Sequence, residues 1–175
     1  SKTVIDRRVD LMISEGVDVR TGVKIGTDIP FGEIIIKYDA VCIAIGSGFP
    51  RDLNVEGREF RGIHFAMDFL TAQNRVNAGI LTETDREKSA EGKRVLVIGG
   101  GDTGSDCVGT AIRQKAAGVT QIEILPKPPA ERDQDNPWPW YARILKTSTS
   151  HEEGCERLWG ISTIRFVGDG SITRG

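Results

Sequence analysis

The stretch Arg94-Val95-Leu96-Val97-Ile98, followed by Gly99-Gly100-Gly101-Asp102-Thr103-Gly104, decides the fold. Its first five residues read as a buried parallel strand, and Gly99, Gly101 and Gly104 fall at G-x-G-x-x-G spacing directly after it. Asp102 to Lys115 then carries apolar residues at helical spacing, and Gln121-Ile122-Glu123-Ile124-Leu125 reads as the next strand. Strand, glycine turn, helix and strand form a βαβ unit, the context that turns a glycine pattern into a dinucleotide fingerprint. Gly99 makes the tight turn, Gly101 admits a pyrophosphate to the backbone, and Gly104 lets the helix pack closely on its strand. The pyrophosphate lies on the free N–H groups where the helix begins, so Gly99, Gly100, Gly101, Asp102, Thr103 and Gly104 are candidate cofactor-binding residues. The alternative is a purely structural glycine turn.

The tip of the following strand discriminates NAD from NADP, because an acid about 20 residues past the glycines holds the ribose 2′-OH of NAD. With Glu123 inside a strand ending at Leu125, the tip carries Lys127 and then Arg132, cations that suit a 2′-phosphate. Glu131 beside Arg132 dilutes that field, and solvated loop charges are the alternative for both cations. Five of the seven prolines fall between Pro126 and Pro139, so this stretch reads as a loop.

Upstream, Val4, Ile5, Val9, Met12 and Ile13 mark a helix to about Glu15, with Gly16 as its left-handed terminator. Val17–Arg20, Val23–Ile25 and Glu33–Lys37 read as short β-type runs around a turn at Thr27–Gly32. Ala40-Val41-Cys42-Ile43-Ala44-Ile45 reads as a second buried parallel strand ending in Gly46-Ser47-Gly48. A helix is expected near Phe65–Asn77, and the polar stretch Gly79–Lys93 is expected to be a linker. Ile161–Val167 reads as a last strand. The resulting class is α/β: a Rossmann-like dinucleotide-binding domain at 92–175, a crossover helix and linker at 52–91, and part of a second α/β domain at 1–51.

The 175 residues carry 23 Lys and Arg against 25 Asp and Glu, a net charge of -2, so no overall basic field attracts nucleic acid or an acidic membrane. No apolar run reaches the roughly 18 residues of a membrane span, and no secretory leader pattern is seen. Cys42, Cys107 and Cys155 lie far apart, without disulfide or metal spacing. A soluble, reduced, cytoplasmic protein is expected, with no metal site. Ser148 to Glu153 collects hydroxyls, a histidine and carboxylates, read as a capping box with Ser150 as N-cap and Glu153 as its partner. Trp138, Trp140, Tyr141 and Trp159 read as loop packing, Cys107 as core and His64 as structural.

Together, VIDRRVDLM (from Val4), DAVCIAIGSGFPRDL (from Asp39), GIHFAMDFL (from Gly62), VLVIGGGDTGSDCVGTAIRQ (from Val95), EILPKPPAER (from Glu123), NPWPWY (from Asn136) and SHEEG (from Ser150) resemble the small (β) subunit of NADPH-dependent glutamate synthase. GGGDTG is common to many two-dinucleotide flavoproteins; NPWPWY and SHEEG are the more specific segments. The resemblance implies an FAD-type domain at 1–51 and an NADPH domain from 92, with hydride passing from NADPH to FAD. It further implies electrons passing through iron–sulfur clusters to the large subunit that forms glutamate, and it makes Gly46 a candidate FAD contact. No protein acid or base is implied, since hydride transfer between cofactors needs alignment alone. A first G-x-G-x-x-G for FAD and a cysteine cluster are missing, so the chain is expected to be a fragment, inactive alone. A non-enzymatic NADP-binding module, or the NADPH domain of another flavin reductase such as dihydropyrimidine dehydrogenase, are the alternatives.

Overall fold

The computed structural model describes residues 2–80 and 82–170. The chain divides between Phe49 and Pro50 into two compact units.

The first unit holds helix α1, Lys2–Ser14, and helix α2, Phe31–Lys37. α1 ends as its sequence suggests: Gly16 takes φ 96, its N–H bonds the Ile13 carbonyl, and the Val17 N–H returns to the Met12 carbonyl. This Schellman closure satisfies carbonyls the helix leaves orphaned. α2 corrects the expected β-run at Glu33–Lys37. Pro30 precedes the first turn, Glu33 lies in that turn and Lys37 in the last, complementing the helix dipole and outweighing the β preference of Ile34-Ile35-Ile36. Val17–Arg20 and Val23–Ile25 form no strand; Ile25 makes one isolated bridge with Ile29. The expected strand Ala40–Ile45 is likewise not formed. Its residues are exposed, Ile45 by 87%, and no described strand of this unit offers a ladder for their backbone groups.

The second unit is built around three parallel strands in the order β1-β2-β3: β1 Arg94–Ile98, β2 Gly118–Glu123 and β3 Glu156–Trp159. Helix α5, Asp102–Arg113, connects β1 to β2, and the proline-rich loop and helix α6, Thr149–Glu152, connect β2 to β3. Register runs Arg94 to Gly118 through Ile98 to Ile122, so β2 starts and ends earlier than its apolar residues suggested. The strand expected at Ile161–Val167 is instead an extended return pinned to Glu56 by the Phe166 N–H at 2.8 Å, and the third strand is the alternating Glu156–Trp159.

Helix α3, Ala66–Asn77, packs on α5, and the two join β1 and β2 in a core of Ala90, Val97, Cys107, Val108, Ala111 and Val119. Val108 and Ala111 are completely buried, while Leu96 and Ile98 alternate with the core-facing Val95 and Val97 and stay 45% and 40% exposed. The polar stretch expected as a linker carries helix α4, Glu83–Glu87, which packs on α3. The Thr82 hydroxyl accepts the Asp85 N–H, and the buried Asp85 carboxylate accepts the Thr82 N–H and the Arg75 guanidinium, the latter at 2.9 Å. Its polarity is that of a capped helix with its own ion pair, which composition alone reads as a linker. Among the described residues no helix is long and apolar enough to cross a membrane.

Candidate functional site

Between β1 and α5 the chain reverses within three glycines. Gly99 has φ 117, a conformation L side chains rarely adopt, and its N–H continues the ladder to the Ile122 carbonyl at 2.8 Å. Gly101 is the N-cap of α5, with no side-chain cap and nothing within 4 Å of the position a Cβ would take. The first turn of a twelve-residue helix therefore opens beneath a bare backbone. Gly104 is required for the opposite reason: a Cβ there would strike the Gly99 carbonyl and stand 2.9 Å from the Gln121 amide nitrogen. Asp102 and Thr103 lie exposed in the first turn. The six residues Gly99 to Gly104 are thus brought together as one strand–turn–helix corner.

A chain of hydrogen bonds braces this corner from beneath. The Gln121 amide donates to the Gly99 carbonyl at 2.9 Å, and Gln121 Oε1 meets His151 Nε2 at 3.0 Å. The Ser148 N–H donates to His151 Nδ1 at 3.1 Å, and the Ser148 hydroxyl contacts the Ser105 hydroxyl on α5. Because a backbone N–H can only donate, Nδ1 accepts and the ring proton sits on Nε2, which fixes both the tautomer and the orientation of the Gln121 amide. Burial, and secondarily the Arg157 charge, hold the His151 pKa below its ordinary value. The capping box is two residues earlier than expected: Ser148 is the N-cap and His151 the reciprocal partner. Ser150 is buried instead, its hydroxyl and Cβ lying where Gly109 of α5 leaves room, and Glu153 pairs with Arg113.

Glu123 corrects the reading of the strand tip. Since β2 ends at Glu123, this acid is terminal, and its carboxylate accepts the Gly100 N–H at 2.5 Å and the Leu125 N–H at 3.1 Å. An acid therefore stands beside the glycine turn, where sequence reading found none. Lys127 lies beyond it, its ammonium 5.1 Å from the centre of the Trp159 ring. Arg132 donates to the Asn136 carbonyl at 2.9 Å within the proline-rich loop. That loop is organised by Asn136, only 4% exposed, whose side chain donates to the Tyr141 carbonyl and accepts the Arg143 N–H. Trp138, Trp140 and Tyr141, expected to pack the loop, are exposed by 82%, 67% and 75%, because this one amide already closes the turn between them. Gly46 has φ 63 and lies in the exposed stretch of the first unit, with no strand before it.

The remaining candidates take structural places. Cys107 is core, its thiol pushed up to about 11 by burial. Burial, reinforced by Lys88 and Lys93, lowers the His64 pKa. No group of three or more His, Cys, Asp or Glu side chains suited to a metal occurs among the described residues. The residues that sequence reasoning missed are Gln121 and Glu123; the available signal was a polar side chain inside an otherwise apolar strand.

Comparison with known proteins places this corner in context. A family model described as pyridine nucleotide-disulphide oxidoreductase matches residues 5–146. The chain is 46% identical over 176 residues to a glutamate synthase [NADPH] small chain of Mycobacterium tuberculosis, covering 98% of this chain and 36% of that protein. It is 39% identical to the glutamate synthase [NADPH] small chain of Bacillus subtilis, covering 96% of this chain and 35% of that one. A glutamate synthase [NADH] of Saccharomyces cerevisiae is 42% identical over 180 residues, 98% of this chain and 8% of that protein. The chain therefore spans about a third of the length of the small chains it matches.

Proposed function

Because the chain belongs to the pyridine nucleotide-disulphide oxidoreductase family, we propose that its second unit is the NADPH-binding part of a glutamate synthase small subunit. The observation that carries this reading is the corner at Gly99–Gly104, where positive φ, an uncapped helix start and open space above Gly101 coincide. These features fit a pyrophosphate: the first-turn N–H groups of α5 carry no side-chain cap, and no Cβ on Gly101 obstructs the approach to them. When bound, the reduced nicotinamide supplies a hydride for a flavin, and the reducing equivalents serve glutamate formation on a large subunit. This chain's residues bind and align; none is needed as acid or base, because the transferred hydrogen moves between cofactors.

The choice of NADPH is supported by the names of the bacterial small chains and by Lys127 and Arg132 beyond the strand. Glu123 supports NADH as a second reading, since a carboxylate at this place suits a ribose 2′-OH and repels a 2′-phosphate. The described residues of the first unit include no strand and no strand–turn–helix corner, so they do not fit FAD as a dinucleotide cradle. FAD belongs in this reading to the full-length protein, with Gly46 at most a secondary contact. A cytoplasmic setting accompanies it, supported by three free thiols.

Titration of the purified chain with NADPH, followed by tryptophan fluorescence, tests the reading. Saturable binding is expected, in a colourless preparation that reduces no acceptor. Absence of saturable binding at millimolar NADPH contradicts it.

A further inference from the structure

Two buried or half-buried side chains brace the glycine turn without belonging to it. Gln121, only 2% exposed, sits in the central strand and ties the Gly99 carbonyl to His151, which in turn closes the N-terminus of α6. We propose that Gln121 and His151 are positioning residues for the nucleotide site. They hold the Gly99 carbonyl, and through it the turn into α5, in the orientation that leaves the first-turn N–H groups of α5 open to a pyrophosphate, and they do so while the His151 ring is neutral. This inference rests on the nucleotide reading of that turn.

Donors and acceptors alone fix the direction of the brace. From the Ser148 N–H to the Gly99 carbonyl every group has a single compatible role, because both ends are backbone groups that cannot reverse. A second proton on His151 would fall on Nδ1, opposing the Ser148 N–H and leaving the Ser148 hydroxyl, 3.1 Å away, as its acceptor. The Ser148 N–H would then lose its acceptor, which weakens the N-cap that holds the ring against Gln121.

The charged and titratable groups around the ring are few. On β3 they are Arg157 and Glu156, the latter accepting from Thr120; between α6 and β3 lies Cys155. On α6 and at its end they are Glu152 and Glu153, and on α5 Arg113, paired with Glu153. From β2 the contact is the uncharged Gln121. Arg157 is the charge that acts on the ring, and it too disfavours the second proton.

The test measures NADP+ affinity of the chain from pH 5.5 to 8 for the wild type, His151→Gln, Gln121→Leu and the double variant. Glutamine at the third helical position preserves a capping box, so His151→Gln keeps the α6 cap while breaking the link to Gln121 and removing the titratable ring. The 2′-phosphate titrates in the same range, but equally in every variant, so the difference between wild type and His151→Gln isolates the histidine. At pH 7.5 each single variant is expected to bind about 3- to 10-fold more weakly, and the double variant no worse than the weaker single. The affinity of the wild type falls more steeply on acidification than that of His151→Gln, whose unfolding midpoint stays close to wild type. Wild-type affinity and an unchanged pH profile in His151→Gln overturn the inference and leave the nucleotide reading standing. No saturable NADP+ binding by the wild type overturns both.

Discussion

Gly109 of α5 and Ser150 of α6 occupy the same space by turns: a Cβ built on Gly109 would lie 2.6 Å from the Ser150 hydroxyl and 2.9 Å from its Cβ. The two helices meet at this point because one of them has no side chain there. Gly109→Ala is expected to force α6 away and to destabilise the second unit by about 1 to 3 kcal/mol, the usual range for overpacking, despite the better helix propensity of alanine. Chemical denaturation of the variant against wild type checks this. The same displacement moves His151, so nucleotide affinity should fall alongside stability.

The pair Arg75 and Asp85 predicts how stability responds to acid. The Arg75 guanidinium, followed by the Thr82 hydroxyl, holds the Asp85 carboxyl below its ordinary value of 3.8. A depressed carboxylate pKa contributes stability that is complete above the unfolded value and is lost as pH falls through the folded one. Asp85→Asn should therefore lower the unfolding midpoint at pH 7 and reduce the further loss of stability between pH 5 and 3. An unaltered acid limb would remove this pair from the account.

The cap on the same helix gives an independent figure. Removing the Thr82 hydroxyl with its methyl, in Thr82→Ala, leaves the Asp85 N–H without its acceptor and should cost about 1 kcal/mol. Equilibrium unfolding in urea measures it directly.

Thiol labelling separates the three cysteines. Cys42 is exposed, Cys155 is half-buried with its pKa raised by burial, and Cys107 is buried with its thiol pushed up to about 11. Iodoacetamide at pH 8 should modify Cys42 first, Cys155 more slowly, and Cys107 only when the second unit unfolds. Rapid modification of Cys107 in the folded chain would contradict the position of α5 on the sheet.

Coenzyme choice sets Glu123 against Lys127 and Arg132. If the carboxylate on the Gly100 N–H opposes a 2′-phosphate, Glu123→Gln should shift the ratio of affinities toward NADPH by about tenfold. Charge reversal of Lys127 and Arg132 together should shift it toward NADH. Arg132 is already engaged with the Asn136 carbonyl, so Lys127→Glu alone should account for most of that change. Competitive titrations with the two reduced coenzymes resolve the contributions.

The β1–glycine–α5 corner was legible because its signature is local: four apolar residues after Arg94, three spaced glycines and an amphipathic helix. Where the sequence misled, the deciding interaction lay elsewhere in the chain. The end of β2 is set by its partners, the ladder to β1 stopping at Ile122 and that to β3 at Glu123, although Ile124 and Leu125 continue the apolar run. Ala40–Ile45 has the composition of a buried strand, but a strand also needs a hydrogen-bonding neighbour, and the described residues of its unit supply none. Ile34–Ile36 shows the converse, β-branched residues drawn into a helix by the charges and proline around them. Gln121 and His151 stand 30 residues apart, and neither belongs to the glycine motif, so only their folded proximity reveals the brace.

The central claim is that nucleotide binds at the corner where β1 turns into α5. Amide hydrogen exchange of the chain with and without saturating NADPH tests it most directly, because the claim names the backbone that changes. The account predicts slowed exchange concentrated at Gly99 to Ser105, with a smaller effect reaching Gln121, and loss of both in Gly104→Ala, whose added methyl displaces the Gly99 carbonyl. NADPH binding that leaves Gly99 to Ser105 unprotected, or that persists undiminished in Gly104→Ala, would contradict it.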